Sequence, residues 1–261
     1  MTAGTAAAAG ARVVVADTAA MTVRNLRRIV RTPRLVAFSV VQPVMFVLLF
    51  RYVFGGAIRT PGVDYVDYLL PGVFVQTALF GGASTTVGLA ADLQEGVVDR
   101  FRALPMARAA VLAGRTLADL ARNIVVLGII VAIGVAVGFR FHGTAAGAVC
   151  GLLLITAVGY SFCWIFATIG MLVKDPETAQ VAGLLPLFPL VFASSAFVPV
   201  ASMPGWLQAF ARVQPVSVTV NSVRALLSGA PAGDDLWQAW TWTAGIALVF
   251  SALAITLYRR V

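Results

Sequence analysis

The side chains able to do chemistry gather in one stretch, "DLQEGVVDRFRALPMARAAVLAGRTLAD", residues 92–119. It carries Glu95, Asp99, Arg100, Arg102, Arg108 and Arg115. Carboxylates and guanidinium groups in such a stretch usually form a solvated face, and an apolar stripe among them has to be buried against lipid or a partner. These charges do not suit bond-breaking. His142 is the single histidine, beside Arg140, and no HExxH or Ser/His/Asp set accompanies it. The sequence holds no G-x-x-x-x-G-K-[ST] phosphate loop; "FGGASTTVG" (80–88) is glycine-rich but lacks the lysine. Cys150 and Cys163 lie 13 residues apart, a spacing that fits neither a CxxC redox motif nor a zinc site. The sequence predicts no enzyme, no metal and no bound cofactor.

The elements that position these charges follow from periodicity. Leu93, Val97, Phe101 and Leu104 step by four, four and three, so they form one helical stripe. Asp92, Glu95, Asp99 and Arg102 form a second stripe, displaced from the first. This predicts an amphipathic helix of about three turns, acidic at its start and basic near its end, as the helix dipole favours. Pro105 disfavours helical geometry at Leu104 and predicts a bend. A second helix starts near Met106, with Arg115, Asp119 and Arg122 on one face. There Asp119 is expected to pair with both arginines.

The rest of the chain avoids charge. Of 261 residues, 60% are hydrophobic and 11% charged, and the mean hydropathy is +0.91. Soluble domains run nearer a quarter charged, so composition predicts an all-α integral membrane protein. A spanning helix needs about 20 largely apolar residues. Six segments qualify, near Leu35–Phe54, Leu69–Ala91, Ile124–Phe139, Ala145–Val173, Val181–Val200 and Trp237–Tyr258. The third is short unless it begins at Leu117, and the prolines of the fifth predict a kink. Within the spans the polar residues are few: Gln42, Gln76, Ser84, Thr85 and Thr86. Gln42, Gln76 and Thr85 could line a substrate path or bond between helices, and bonding is the favoured reading. The scarcity of ionisable groups argues against a proton-coupled carrier.

Of the 19 basic residues, five (Arg51, Arg59, Arg140, Arg212, Arg224) fall on one side of this six-span arrangement and the other 14 on the opposite side. The positive-inside rule then puts both termini in the cytoplasm. The net charge of +8 is read as topology, with no nucleic-acid partner. One lysine against eighteen arginines hints at a bacterial source. Residues 1–20 are expected to be a disordered cytoplasmic tail, and 21–261 a single six-span domain. "MTVRNLRRIVR" (21–31) reads as a cytoplasmic amphipathic helix in the membrane interface. Residues 203–229 read as two short amphipathic helices on the outer face or as a re-entrant hairpin.

The charged stretch resembles the cytoplasmic signature of the type 2 ABC exporter permeases, especially the daunorubicin/doxorubicin-resistance branch. The matching residues are Glu95, Gly96, Arg100, Arg102, Leu104-Pro105, Arg108 and Gly114-Arg115. "YLLPG" (68–72), "KDPETAQ" (174–180) and "QPVSVTVNSVRALLSG" (214–229) also fit. Val97-Val98 departs from the pattern, where many members carry threonine after the glycine. The resemblance covers about residues 20 to 260. It implies six spans, an interfacial helix before the first, short outer helices before the sixth, and pairing with a second permease copy or paralogue. It also implies a separate cytoplasmic ATP-binding subunit that uses ATP and magnesium. On that basis the helix carrying Glu95, Gly96, Asp99, Arg100, Arg102, Leu104, Pro105 and Arg108 is the coupling element. Lys174, Asp175 and Glu177 form the second contact with the ATPase. The implied function is export of hydrophobic or amphiphilic compounds across a bacterial cell membrane, conferring resistance. A non-transporting membrane anchor or assembly subunit shares every loop feature. A membrane enzyme acting on lipids lacks its catalytic set.

Overall fold

The computed structural model describes residues 15–27, 31, 33–54, 64–96 and 108–260. Among them every regular element is helical. A first helix (α1) covers 15–27, followed by α2 (Pro33–Leu49), which passes into a π-helical turn over Phe50–Phe54. Next come α3 (Tyr65–Gln94), α4 (Arg108–Val137) and α5 (Ala145–Val173). Two short helices follow, α6 (Pro176–Leu184) and α7 (Leu187–Phe192). A 3-10 turn (Val200–Ser202) leads to α8 (Gly205–Val213), α9 (Pro215–Ser228) and α10 (Gly233–Arg260).

Among the described residues, four helices are long and apolar enough to cross a membrane: Tyr65–Gln94, Ala110–Val137, Ala145–Val173 and Gly233–Tyr258. A shorter apolar helix covers Ser39–Val53. The third segment is therefore not short. It runs unbroken from Arg108, because its polar first half is fastened to α3 as described below.

The fifth segment is not one helix. Pro186 and Pro189 remove backbone donors, and α6 and α7 are separated at Leu185–Pro186. The chain nevertheless climbs the side of α3. Gly183 sits at Thr86, and Ala196 sits at Gly72, fourteen residues nearer the other end of α3. Phe192 and Phe197 pin this broken segment to α2, with ring centroids 6.1 and 5.8 Å from Phe46 and Phe197 stacked 4.8 Å from Phe50.

The expected tail over 1–20 is corrected in its last part. Residues 15–20 are helical and continue into 21–27. This helix is held by packing: Met21 is buried, and Gly114 of α4 lies against Met21, Thr18 and Thr22. Residues 1–14 and 28–30 lie outside the described ones. Over 203–229 there are two helices, and they behave differently. Trp206, Phe210 and Val213 of α8 are exposed, whereas α9 buries Val216, Val218, Val220 and Val223 together with Ser217, Thr219 and Ser222. Burial on more than one face places α9 between α3, α5 and α10, not flat on a surface.

The centre of the bundle is α3, which packs on α2, α4, α5, α6 and α9. Leu69, Leu70, Val73, Phe74 and Leu79 meet Leu154, Ile155 and Val158 of α5 and Ile130 of α4 in one apolar core. Small residues set the close approaches, as they do where lipid supplies no hydrophobic drive. A side chain on Gly72 would overlap the Ala196 backbone, and a Cβ on Gly170 of α5 would lie 2.6 Å from the Thr86 carbonyl oxygen. Gly170→Val should push α3 and α5 apart and cost about 2–3 kcal/mol. The readout is a lowered Tm of the detergent-solubilised protein; an unchanged Tm would remove this contact from the packing account.

Candidate functional site

A polar network joins α3 to α4. Arg115 Nη1 donates to Asp92 Oδ2. Further along α4, Arg122 Nη2 lies 3.4 Å from Asp119 Oδ1 and donates to the Gly81 carbonyl at 2.7 Å. The Thr85 hydroxyl donates to Asp119 Oδ2 at 2.6 Å, and Asn123 Nδ2 reaches the Ala78 carbonyl at 3.4 Å. Asp92, Asp119, Asn123 and Thr85 are all buried. Unpaired charges here would be costly, so each guanidinium carries its own carboxylate. Two glycines of α3 make room. A Cβ on Gly88 would overlap the Arg115 guanidinium, and one on Gly81 would overlap the Asn123 amide.

This corrects the expectation that Asp119 pairs with both arginines. Helical side chains lean toward the N-terminus of their own helix. Arg122 therefore leans back onto Asp119. Arg115 leans away from Asp119 and meets Asp92 near the C-terminal end of α3.

Beyond Asp92, α3 ends at Gln94. The Glu95 N–H still bonds the Ala91 carbonyl, while Gly96 turns into the left-handed region at φ 66°. A glycine there is a helix stop. The three-turn helix expected over 93–105 is therefore interrupted at Gly96. Leu93 belongs to the last turn of α3 and packs beside the cluster of Leu89, Leu112, Trp164 and Met171. Asp99, Arg100, Arg102, Leu104 and Pro105 lie outside the described residues. Arg108 is the first residue of α4.

The second turn singled out by the sequence reaches the same end of the bundle, since Met171 and Leu93 share that cluster. Lys174 caps α5 in the left-handed conformation at φ 60°, its N–H on the Gly170 carbonyl. Asp175 then caps α6, accepting the Thr178 N–H at 2.8 Å, with Pro176 at the first helical position. Hydrogen bonds from the Thr178 side chain and backbone hold the Asp175 carboxyl below its ordinary range. Glu95, Lys174 and Glu177 are exposed. Two polar turns thus face outward from one end of the bundle.

Gln42, Gln76 and Thr85 are not brought together. Gln42 is exposed on α2, and Gln76 is buried on α3 with Oε1 unpartnered among the described residues. The Thr85 hydroxyl serves Asp119, an interhelical bond.

One residue counted only as a topological charge is an anchor at the other end. Arg224 of α9 lies with Cζ 3.7 Å from the centre of the Tyr68 ring. It donates to the carbonyls of Tyr68 (3.1 Å) and Ser195 (2.9 Å) and to Asn221 Oδ1 (3.3 Å). The sequence signal was an arginine beside the Val216, Val220, Val223, Leu227 stripe of a helix.

The family model described as ABC-2 type transporter matches residues 16–227. The chain belongs to the ABC-2 type transporter family. It is 37% identical over 221 residues to a daunorubicin resistance ABC transporter permease protein of Streptomyces coeruleorubidus, covering 85% of this chain and 78% of that one. A probable doxorubicin resistance ABC transporter permease protein of Mycobacterium tuberculosis is 28% identical over 251 residues, 96% of this chain and 91% of the relative. A putative transport permease of Cyanophora paradoxa is 26% identical over 203 residues, 76% and 69% of the two chains. The polar network and the two turns are therefore features of an ABC transporter permease subunit.

Two outcomes follow. Arg115→Ala takes one charged partner from the buried Asp92 and should cost about 1–3 kcal/mol. The double variant Arg115→Gln with Asp92→Asn should recover part of that loss. Equal and additive losses in thermal unfolding would show the pair to be uncoupled. Asp175→Ala should speed amide exchange at Thr178 without changing α5. Because the Asp175 pKa is depressed on folding, its cap is fully present above the ordinary carboxylate range and is lost as pH falls through the lowered value. Slow exchange at Thr178 in the variant would deny the cap any role.

Proposed function

We propose that this permease subunit belongs to an ATP-driven exporter that moves hydrophobic or amphiphilic compounds, antibiotics, drugs or lipids, out of a bacterial cell. The observation that carries the reading is the placement of two polar turns, at Glu95 and at Lys174–Glu177, on one end of an otherwise apolar bundle. A cytoplasmic ATP-binding subunit supplies hydrolysis with its own ATP and magnesium, since this sequence holds no phosphate loop. Daunorubicin resistance and probable doxorubicin resistance in the names of two relatives support a drug cargo.

In this reading the chain makes six crossings. The first is α2 with its π-helical turn, the fifth is the broken α6–α7 segment, and α3, α4, α5 and α10 complete the set. Both termini lie in the cytoplasm. Residues 15–27, packed at Gly114, and Tyr258, beside Leu112 and Met171, support a common end for the two termini. The permease pairs with a second copy or a paralogue. Glu95, Gly96, Asp99, Arg100, Arg102, Leu104, Pro105 and Arg108 form the first contact with the ATPase, and Lys174, Asp175 and Glu177 the second. The Asp92–Arg115 pair fixes where the first contact leaves the bundle.

The test is co-reconstitution of the full chain with its ATP-binding subunit in liposomes. Glu95→Ala and Arg102→Ala should each reduce cargo-stimulated ATP hydrolysis about tenfold, the size of an ordinary coupling energy between sites, while the complex still assembles. Normal stimulation in both variants would sink the coupling role. Assembly without efflux of a hydrophobic dye would favour a membrane anchor over an exporter.

A further inference from the structure

A cavity of about 480 Å³ opens between α3, α4 and α6, beside the α3–α4 network. That volume suits a drug-sized molecule or a lipid headgroup with the start of its chains. Its lining is mixed. Small apolar side chains of α3 and Leu184 of α6 face Ser84, Arg115, Asp119, Arg122 and Gln180, with Asn25 of α1 at the edge.

The hydrogen-bond inventory of this lining is lopsided. Two guanidinium groups face it against one carboxylate. Both oxygens of that carboxylate are engaged, Oδ1 by Arg122 and Oδ2 by Thr85. The guanidinium groups have donors to spare. Arg115 uses Nη1 on Asp92 and Arg122 uses Nη2 on Gly81 and Asp119, while Nε of both is buried without a partner among the described residues. The side-chain amides of Gln180 and Asn25 add further donors. A site with surplus donors on two guanidinium groups and an apolar wall favours an acceptor-rich acidic group carried on a hydrocarbon body.

We propose that this cavity binds the acidic head of an amphiphile, a phosphate or sulfonate whose apolar part lies along α3 and Leu184. Cargo and an acidic phospholipid share that chemistry. An anion drawn to Arg115 competes with Asp92, three residues before Glu95, so occupancy is felt at the turn assigned above to the ATPase contact. That last link rests on the exporter reading; the binding itself does not.

Native mass spectrometry of the full chain in neutral detergent tests the binding, with phosphatidylglycerol, dodecyl phosphate and phosphatidylcholine as probes. One acidic probe per chain should be retained where phosphatidylcholine is not. Ser84→Phe adds bulk at an exposed lining position, and Arg115→Gln removes the charge. Each should weaken retention about tenfold or more, the worth of a charged hydrogen bond. Retention of both acidic probes assigns the site to acidic amphiphiles in general. Phosphatidylglycerol alone assigns it to a lipid headgroup, and dodecyl phosphate alone to a single-chain cargo. Equal retention of phosphatidylcholine overturns the proposal, as does acidic retention unchanged in Ser84→Phe, the variant expected to keep its fold. The measurement omits the ATPase, so lost coupling with intact retention counts against the exporter reading only. Lost retention with intact coupling counts against the cavity only.

Discussion

A charge placed where a helix enters a membrane has to be neutralised by a neighbour, because lipid offers it nothing. Here that requirement is met between two helices. Asp92 of α3 holds Arg115 of α4, and Arg122 takes both Asp119 on its own helix and the Gly81 carbonyl on α3. The relative height of α3 and α4 is thereby set to within a side chain. The turn at Glu95–Gly96 and the start of α4 at Arg108 both inherit that height. Glycine enters the arrangement for a steric reason: only bare backbone at Gly81 and Gly88 lets an amide and a guanidinium lie against α3.

The same economy of side chains governs the rest of the bundle. Where α3 meets α5 and the turn before Pro199, glycine and alanine bring backbones into contact at Gly72, Ala78, Gly159 and Gly170. Larger residues then fill the space that remains, as Phe74 does against the edge of Phe139. At the opposite end, Arg224 performs for α9 what Arg115 performs for α4. Its partners are carbonyls and the face of Tyr68 in place of a carboxylate.

Much of this was legible in the residues. Hydropathy located α3, α4, α5 and α10, and the prolines at 186 and 189 marked the segment that breaks. The resemblance of the charged stretch pointed to the family that the match over residues 16–227 establishes. Three features were not legible. A stripe drawn through Leu93 and Val97 ignored Gly96, whose left-handed turn ends the helix that the stripe assumed. Spacing alone gave Asp119 two arginines, because i, i+4 rules carry no sense of which way a side chain leans. Residues 15–20 looked like tail because alanine-rich sequence has no stripe; packing of the following turn on Gly114 makes them helical. Each miss concerns a tertiary contact or a single backbone angle, and neither has a period to read.

The uninterrupted course of α3 has a mechanical meaning. Its 30 residues make a rod about 45 Å long, with Asp92 near one tip and Tyr65 at the other. The neighbouring chain from Pro176 to Ser202 is broken into short pieces, whereas α3 stays helical through its internal Pro71. A tilt of about 5° around its midpoint carries each tip roughly 2 Å in opposite directions, given that length. On the proposed exporter reading, a displacement at the charged end would reach the far face through α3, with the segmented chain beside it taking up the slack.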